Sequence, residues 1–221
     1  MKLCLEIKIQ GSNCHRLIVR HGLVPFILKA LKSDIFHERL SASEALFSLT
    51  LDEEAVRWNI VLRGLHSLYT FVLWFNWLQC VAIRASNGFE RLIDRIVEGP
   101  RGGRVTTNST AALSNICYFK RHAEAMRFLN IFKCDVIVWL LKSNLFTHCI
   151  RPLLCLARDE SATSKQVEYA CAALSNMAAI EENQRPLCKA GAIGILNDIE
   201  TEAEHSMAAC NRHILLSCIT L

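Results

Sequence analysis

The sequence predicts an all-α fold assembled from repeated helices. Two observations carry this. Glycine (9) and proline (4) make up 13 of the 221 residues, about half the roughly 12% of average usage, so chain breakers are too few for a turn-rich all-β fold. Three segments also resemble one another: Ser41-Ala42-Ser43-Glu44-Ala45-Leu46-Phe47-Ser48-Leu49, Ser109-Thr110-Ala111-Ala112-Leu113-Ser114-Asn115-Ile116 and Ala170-Cys171-Ala172-Ala173-Leu174-Ser175-Asn176-Met177. In a helix, their alanines allow a neighbour to approach closely. The leucine and the apolar residue three positions on fill the core.

The elements follow in chain order. The start, Met1-Lys2-Leu3-Cys4-Leu5-Glu6-Ile7-Lys8, is broken by charges too often for a signal peptide. Arg20–Ser33 contains Gly22, then an apolar pair and Pro25, then an amphipathic helix. Proline suits a first helical turn, where its missing N–H has no partner to lose. Ser41–Leu49 is the helix after it. Gly99-Pro100-Arg101-Gly102-Gly103 reads as a turn before the helix that holds Leu113. Ile150-Arg151-Pro152-Leu153-Leu154 repeats the proline-and-helix start, and Thr163-Ser164-Lys165-Gln166 reads as a capping box opening the helix of Leu174. Lys189-Ala190-Gly191-Ala192-Ile193 repeats the glycine opening. A weaker final helix is expected over Ser206–Ile219.

Composition excludes other classes. Apolar residues are 52% and charged residues 21%, which argues against extensive disorder. The net charge of +4 is spread out. Arg84, Arg91, Arg95, Arg101 and Arg104 interleave with Glu90, Asp94 and Glu98, the pattern of a solvated helix face rather than a nucleic-acid surface. The eleven cysteines are odd in number, contain no C-x-x-C and sit mostly in apolar runs. They read as buried thiols in a reducing compartment. The expected location is cytoplasmic, with a nuclear one as the further option.

The ordered motifs resemble the armadillo repeat, a unit of about 42 residues in three helices. In that family Gly-Ala-Ile-Pro opens the second helix and Ala-Leu-Ser-Asn-Leu lies in the third. The matching residues here are Gly191-Ala192-Ile193 and the tetrads Ala112-Leu113-Ser114-Asn115 and Ala173-Leu174-Ser175-Asn176. The resemblance covers roughly residues 13–200, outside two inserts. It implies a right-handed α-solenoid, an armadillo-like superhelix of about three to four repeats. Two-helix HEAT repeats are the alternative at the level of fold.

The register locates the inserts. Gly22 to Gly64 is 42 positions, but Leu46 to Leu113 is 67 and Leu113 to Leu174 is 61. Omitting 64–87 restores 42 between Gly22 and Gly88. The second excess lies at about 131–149. The chain is therefore expected to be one solenoid over 1–221, a piece of a longer one, interrupted at these two places. Residues 64–83 carry no Asp, Glu, Lys or Arg and are long enough to span a bilayer. However, His66, Asn76 and Gln79 dilute the run, and Trp74 and Trp77 fall mid-span. An extra packed helix, or translated intron sequence foreign to the fold, are the other readings of the inserts.

No catalytic constellation is present in the sequence, so no enzyme activity and no cofactor is expected. The glycine-rich turn lacks the Gly-Lys-Ser/Thr of a phosphate loop. Cys210, His213, His205 and Cys218 offer soft metal ligands without the second spaced pair that zinc needs, so no metal is expected. Cys218-Ile219-Thr220-Leu221 matches a prenylation signal loosely, with Thr220 a poor fit and no polybasic stretch before it.

The resemblance assigns partner-binding residues. In the family, third helices line a concave groove, and a ladder of asparagines hydrogen-bonds the backbone of an extended peptide. Carried over, the rungs are Asn115 and Asn176, with the shorter Ser48 at the first place. Nuclear-import adaptors of the family carry tryptophan four residues before the asparagine. Here those places are Ala111 and Ala172, which argues against basic import signals as ligands. The function implied is a non-catalytic scaffold or adaptor that binds a protein or peptide. A membrane-associated protein, anchored through 64–83 or a lipidated C-terminus, is the less favoured alternative, and a nuclear transport adaptor is third.

Overall fold

A computed structural model describes residues 11–50, 82–83, 85–99, 103–128 and 145–197. Every regular element among them is an α-helix. The helices are α1 (Gly11–Arg20), α2 (Val24–Ala30), α3 (Phe36–Thr50), α4 (Gly88–Glu98), α5 (Arg104–Phe128), α6 (Leu145–Arg158), α7 (Ser164–Ala178), α8 (Glu181–Lys189) and α9 (Ala192–Asn197). The chain divides into two compact units, Met1–Leu92 and Ile93–Leu221.

In the first unit, α1 ends on Gly22 at φ +65°. The amide of Leu23 donates to Ile18 O and that of Gly22 to Val19 O, at 2.9 and 3.1 Å. This pair of bonds closes a helix end whose last carbonyls would otherwise lack donors. The recurring glycine thus ends one helix as well as preceding the next. Pro25 lies in the first turn of α2, as expected. Helices α2 and α3 pack together, with Ile27, Leu28, Leu31, Ala42, Ala45, Leu46 and Leu49 buried. Ser33 joins them: its hydroxyl accepts from the Ile35 amide, and its carbonyl accepts from Arg39 at 2.6 Å.

The start of α4 departs from the expected register. The left-handed residue there is Asn87, at φ 55°, and Gly88 is already helical. Asparagine tolerates this conformation better than most side chains. Gly88 is required for space instead, since a Cβ there would lie 2.4 Å from Ile83 Cγ2. Phe89, Leu92 and Ile96 form the buried stripe of α4 at helical spacing.

In the second unit, α7 lies against both α5 and α6, and its contact with α5 is the most extensive among the described helices. Helices α8 and α9 pack on α6 and on each other. Leu113, Ile116, Leu153, Leu154, Leu156, Leu174, Met177 and Leu187 are buried. The capping box of α7 forms as read from sequence: the Gln166 amide donates to Thr163 Oγ1, and the Thr163 amide donates to Gln166 Oε1 at 3.1 Å. At the other end of α7, Asn183 Nδ2 donates to Met177 O and Gln184 Nε2 to Ala178 O, at 3.0 and 3.2 Å.

One proline differs from expectation. Pro152 lies inside α6 rather than in a first turn, because the helix already begins at Leu145. Residues 145–149 of the second insert thus belong to α6, and Cys149 is buried. The apolar continuity of Cys149, Ile150, Leu153, Leu154 and Ala157 on one face offsets the loss of a hydrogen bond at Pro152.

The remainder of the first insert's apolar run, residues 131–144, and the C-terminal stretch with Cys210, His213 and Cys218 lie outside the described residues. Among the described residues no helix is long and apolar enough to cross a membrane, and no cluster of three metal-ligating side chains occurs.

Candidate functional site

The two asparagine-bearing helices begin side by side. Gln166, in the first turn of α7, donates from Nε2 to the carbonyl of Gly103, just before α5, at 3.4 Å. Asn115 lies 12 residues beyond Gly103, and Asn176 lies 10 beyond Gln166. At about 1.5 Å per residue these are similar heights, roughly 18 and 15 Å, on two packed helices. Asn115 and Asn176 therefore sit at matching levels.

Burial shows which face they occupy. On α5 the partly or fully exposed positions include Arg104, Thr107, Asn108, Asn115 and Tyr118, whereas 105–106, 109–114 and 116–117 are buried. On α7 they include Lys165, Glu168, Tyr169, Ala172 and Asn176. Residues 104, 108, 111, 115 and 118 fall within a narrow arc of an α-helix, and so do 165, 169, 172 and 176. Adding 61 carries the first stripe onto the second. Arg104 then matches Lys165, Asn108 matches Tyr169, Ala111 matches Ala172 and Asn115 matches Asn176. Both asparagines are half-buried on the outward arc of their helices, and each makes an interaction of its own within the fold.

The two alanines differ. Ala111 is 1% exposed, so it forms the floor of the stripe, whereas Ala172 is half-buried. Both leave low ground four residues before an asparagine. Tyr169 stands beside Ala172 on the same arc. Burial, reinforced by the neighbouring Glu168 carboxylate, raises its hydroxyl pKa above the ordinary value. Sequence reading missed Arg104, Asn108, Tyr118, Lys165 and Tyr169 as members of this surface. The 61-residue offset was sufficient to find them once the asparagines were matched.

Ser48 is the corresponding residue of α3 and lies in the first unit. His37, Ser41, Glu44 and Ser48 form the equivalent outward arc of that helix. The Ser48 hydroxyl is engaged with His15 Nε2 at 3.1 Å, joining α1 to α3. It has less hydrogen-bonding capacity left than a carboxamide would have.

No protein family matches the sequence, and no curated protein does. Solved structures do match. They include the designed armadillo repeat protein YIII(Dq)4CqI, at 16% identity and a TM-score of 0.51 over 98% of this chain and 90% of that one. Another is the designed armadillo repeat protein YIII(Dq.V1)4CPAF in complex with the peptide (KR)4, at 15% identity and 0.52 over 99% and 90%. A third is an engineered protein, at 19% identity and 0.53 over 98% and 87%. The chain has an all-α, armadillo-like repeat fold.

Proposed function

We propose that this armadillo-like chain is a non-catalytic interaction module whose outward α5–α7 surface binds an extended peptide segment of a protein partner. The matched pair Asn115 and Asn176 carries the reading. Two carboxamides at one level on adjacent helices can each donate to a carbonyl and accept from an amide of the same extended strand. An extended strand has unpaired backbone groups along its edge that need such partners.

The neighbour solved with (KR)4 supports a peptide as the kind of ligand. At 15% identity it says nothing of ligand sequence. Low ground at Ala111 and Ala172 lacks aromatic shelves for lysine or arginine stems, so a basic peptide is the less favoured ligand. The thiols of Cys117, Cys149 and Cys171, all buried among packed helices, support a reducing, cytoplasmic or nuclear setting.

The test is a calorimetric titration against peptides selected from a displayed random library. Replacing both residues, Asn115→Ala with Asn176→Ala, is expected to weaken binding at least about tenfold, since each lost main-chain bond contributes about 0.5–1.5 kcal/mol. Circular dichroism and the melting temperature check that the fold persists. Unchanged binding overturns the asparagine role. If the library yields no binder to the intact chain, peptide binding fails as a whole.

A further inference from the structure

A second surface of the Ile93–Leu221 unit has a different chemistry. Helices α6 and α8 enclose an open cavity of about 300 Å³ lined by His148, Ile150, Arg151, Pro186, Lys189 and Ala190. His148 and Arg151 are one turn apart on α6, so both side chains lie on the same side of that helix. Lys189 is the last residue of α8. His148, Arg151 and Lys189 are exposed residues, whereas Ile150 is buried and Pro186 half-buried.

Among the described residues, no carboxylate lines this cavity to balance its charge. The acidic residues of the two helices, Glu181 and Glu182, lie in the first turn of α8, at the end opposite Lys189. Neither His148, Arg151 nor Lys189 makes an ion pair or side-chain hydrogen bond among the described residues. The partial negative charge at the end of α8 accounts for Lys189 alone. Its carbonyls at Pro186, Leu187 and Cys188 are already occupied by the amides of Ala190 and Gly191.

The geometry points to a binding site for a phosphate monoester carried on an apolar body. Three separate donors suit the three terminal oxygens of a phosphate monoester better than the two of a carboxylate, and the Arg151 guanidinium can hold two of those oxygens at once. The volume would hold about ten waters, more than a bare phosphate needs. Ile150, Pro186 and Ala190 offer the remaining space to an apolar group such as an aromatic ring. The phosphate ester can come from a free small molecule or from a phosphorylated tyrosine of a partner.

The test titrates the whole chain with phenyl phosphate, inorganic phosphate, benzoate and phenol, followed by calorimetry at fixed ionic strength. Phenyl phosphate is expected to bind at least about tenfold tighter than each of the other three, because only it satisfies both the donors and the apolar floor. Arg151→Gln and Lys189→Gln should each weaken it several-fold with the melting temperature unchanged, as both side chains are exposed. No binding of phenyl phosphate, equal binding of inorganic phosphate or benzoate, or indifference to both variants overturns the assignment. A capped phosphotyrosine peptide separates the sources. Binding at least as tight as phenyl phosphate identifies a modified protein, and weaker binding identifies a free ligand.

Discussion

Gln166 Nε2 donates to the carbonyl oxygen of Gly103 across 63 positions of sequence, and the same side chain's Oε1 accepts from the amide of Thr163. One carboxamide thus completes the cap of α7 and joins the starts of α5 and α7. Those are the two helices whose asparagines form the candidate site, so the level match of Asn115 with Asn176 depends in part on this residue.

Replacing Gln166 is therefore expected to cost more than an ordinary cap. Thr163→Ala should lower stability by about 1 kcal/mol. Gln166→Ala should lower it by about 2 kcal/mol, because the cap and the partly buried link to Gly103 go together. Gln166→Glu keeps the acceptor for Thr163 N–H but cannot donate to Gly103 while ionised, so it should recover only part of the loss. Urea unfolding of the three variants ranks them.

Asn183 closes the far end of α7. It is 4% exposed, and its Nδ2 reaches the Met177 carbonyl. Asn183→Ala leaves that carbonyl without its side-chain donor and should cost about 1–3 kcal/mol. Gln184→Ala removes a similar bond from a half-buried side chain, where water can substitute, and should cost less than about 1 kcal/mol. Denaturant midpoints at equal m-value compare them.

Two glycines should respond in opposite directions to alanine. Gly88 has Ile83 Cγ2 and O within 2.5 Å of where a Cβ would stand, so Gly88→Ala should destabilise by about 1–3 kcal/mol. Gly194 is helical with nothing near that position, so Gly194→Ala should stabilise by about 0.5–1 kcal/mol. Thermal melts give the signs directly.

Tyr169 links the surface to alkaline stability. Burial and Glu168 raise its folded pKa above the ordinary 10.0, so the folded chain holds this proton where the unfolded chain has released it. The sign follows from proton linkage: stability contributed here is complete below pH about 10 and declines as pH rises from there through the folded value. Tyr169→Phe should remove that part of the decline. Unfolding free energies from pH 8 to 11 for both chains test it.

The alanine floor predicts an asymmetric response to tryptophan. Ala111 is 1% exposed, and Ala111→Trp should overpack and destabilise by about 1–3 kcal/mol. Ala172 is half-buried on the open arc, so Ala172→Trp should be tolerated and should tighten binding of (KR)4 by about 0.5–2 kcal/mol through the ring face. Melting temperature and titration with (KR)4 read the two effects.

Much of this was legible beforehand because it is local. The glycines before α2 and α9, Pro25 in a first turn and the Thr163–Gln166 box depend on backbone torsions and on donors within one turn. The repeated small residues with leucine at a fixed offset gave the helices that pack closely. Pro152 was misplaced because a proline-and-leucine run does not reveal how far apolar burial extends a helix toward its N-terminus. The caps from Asn183 and Gln184 were missed because they act across a turn that composition does not mark.

The sequence alone determined the helical class, the repeated unit and the pairing of Asn115 with Asn176, since each is a matter of periodicity or spacing along the chain. Only the tertiary structure decided that both asparagines stand on an outward arc with Tyr169 and Asn108, that Ala111 lies at its floor, and that Ser48 is engaged by His15. Those depend on which helix faces are covered by others. That coverage arises from packing between segments distant in sequence, whose free energy no single segment contains.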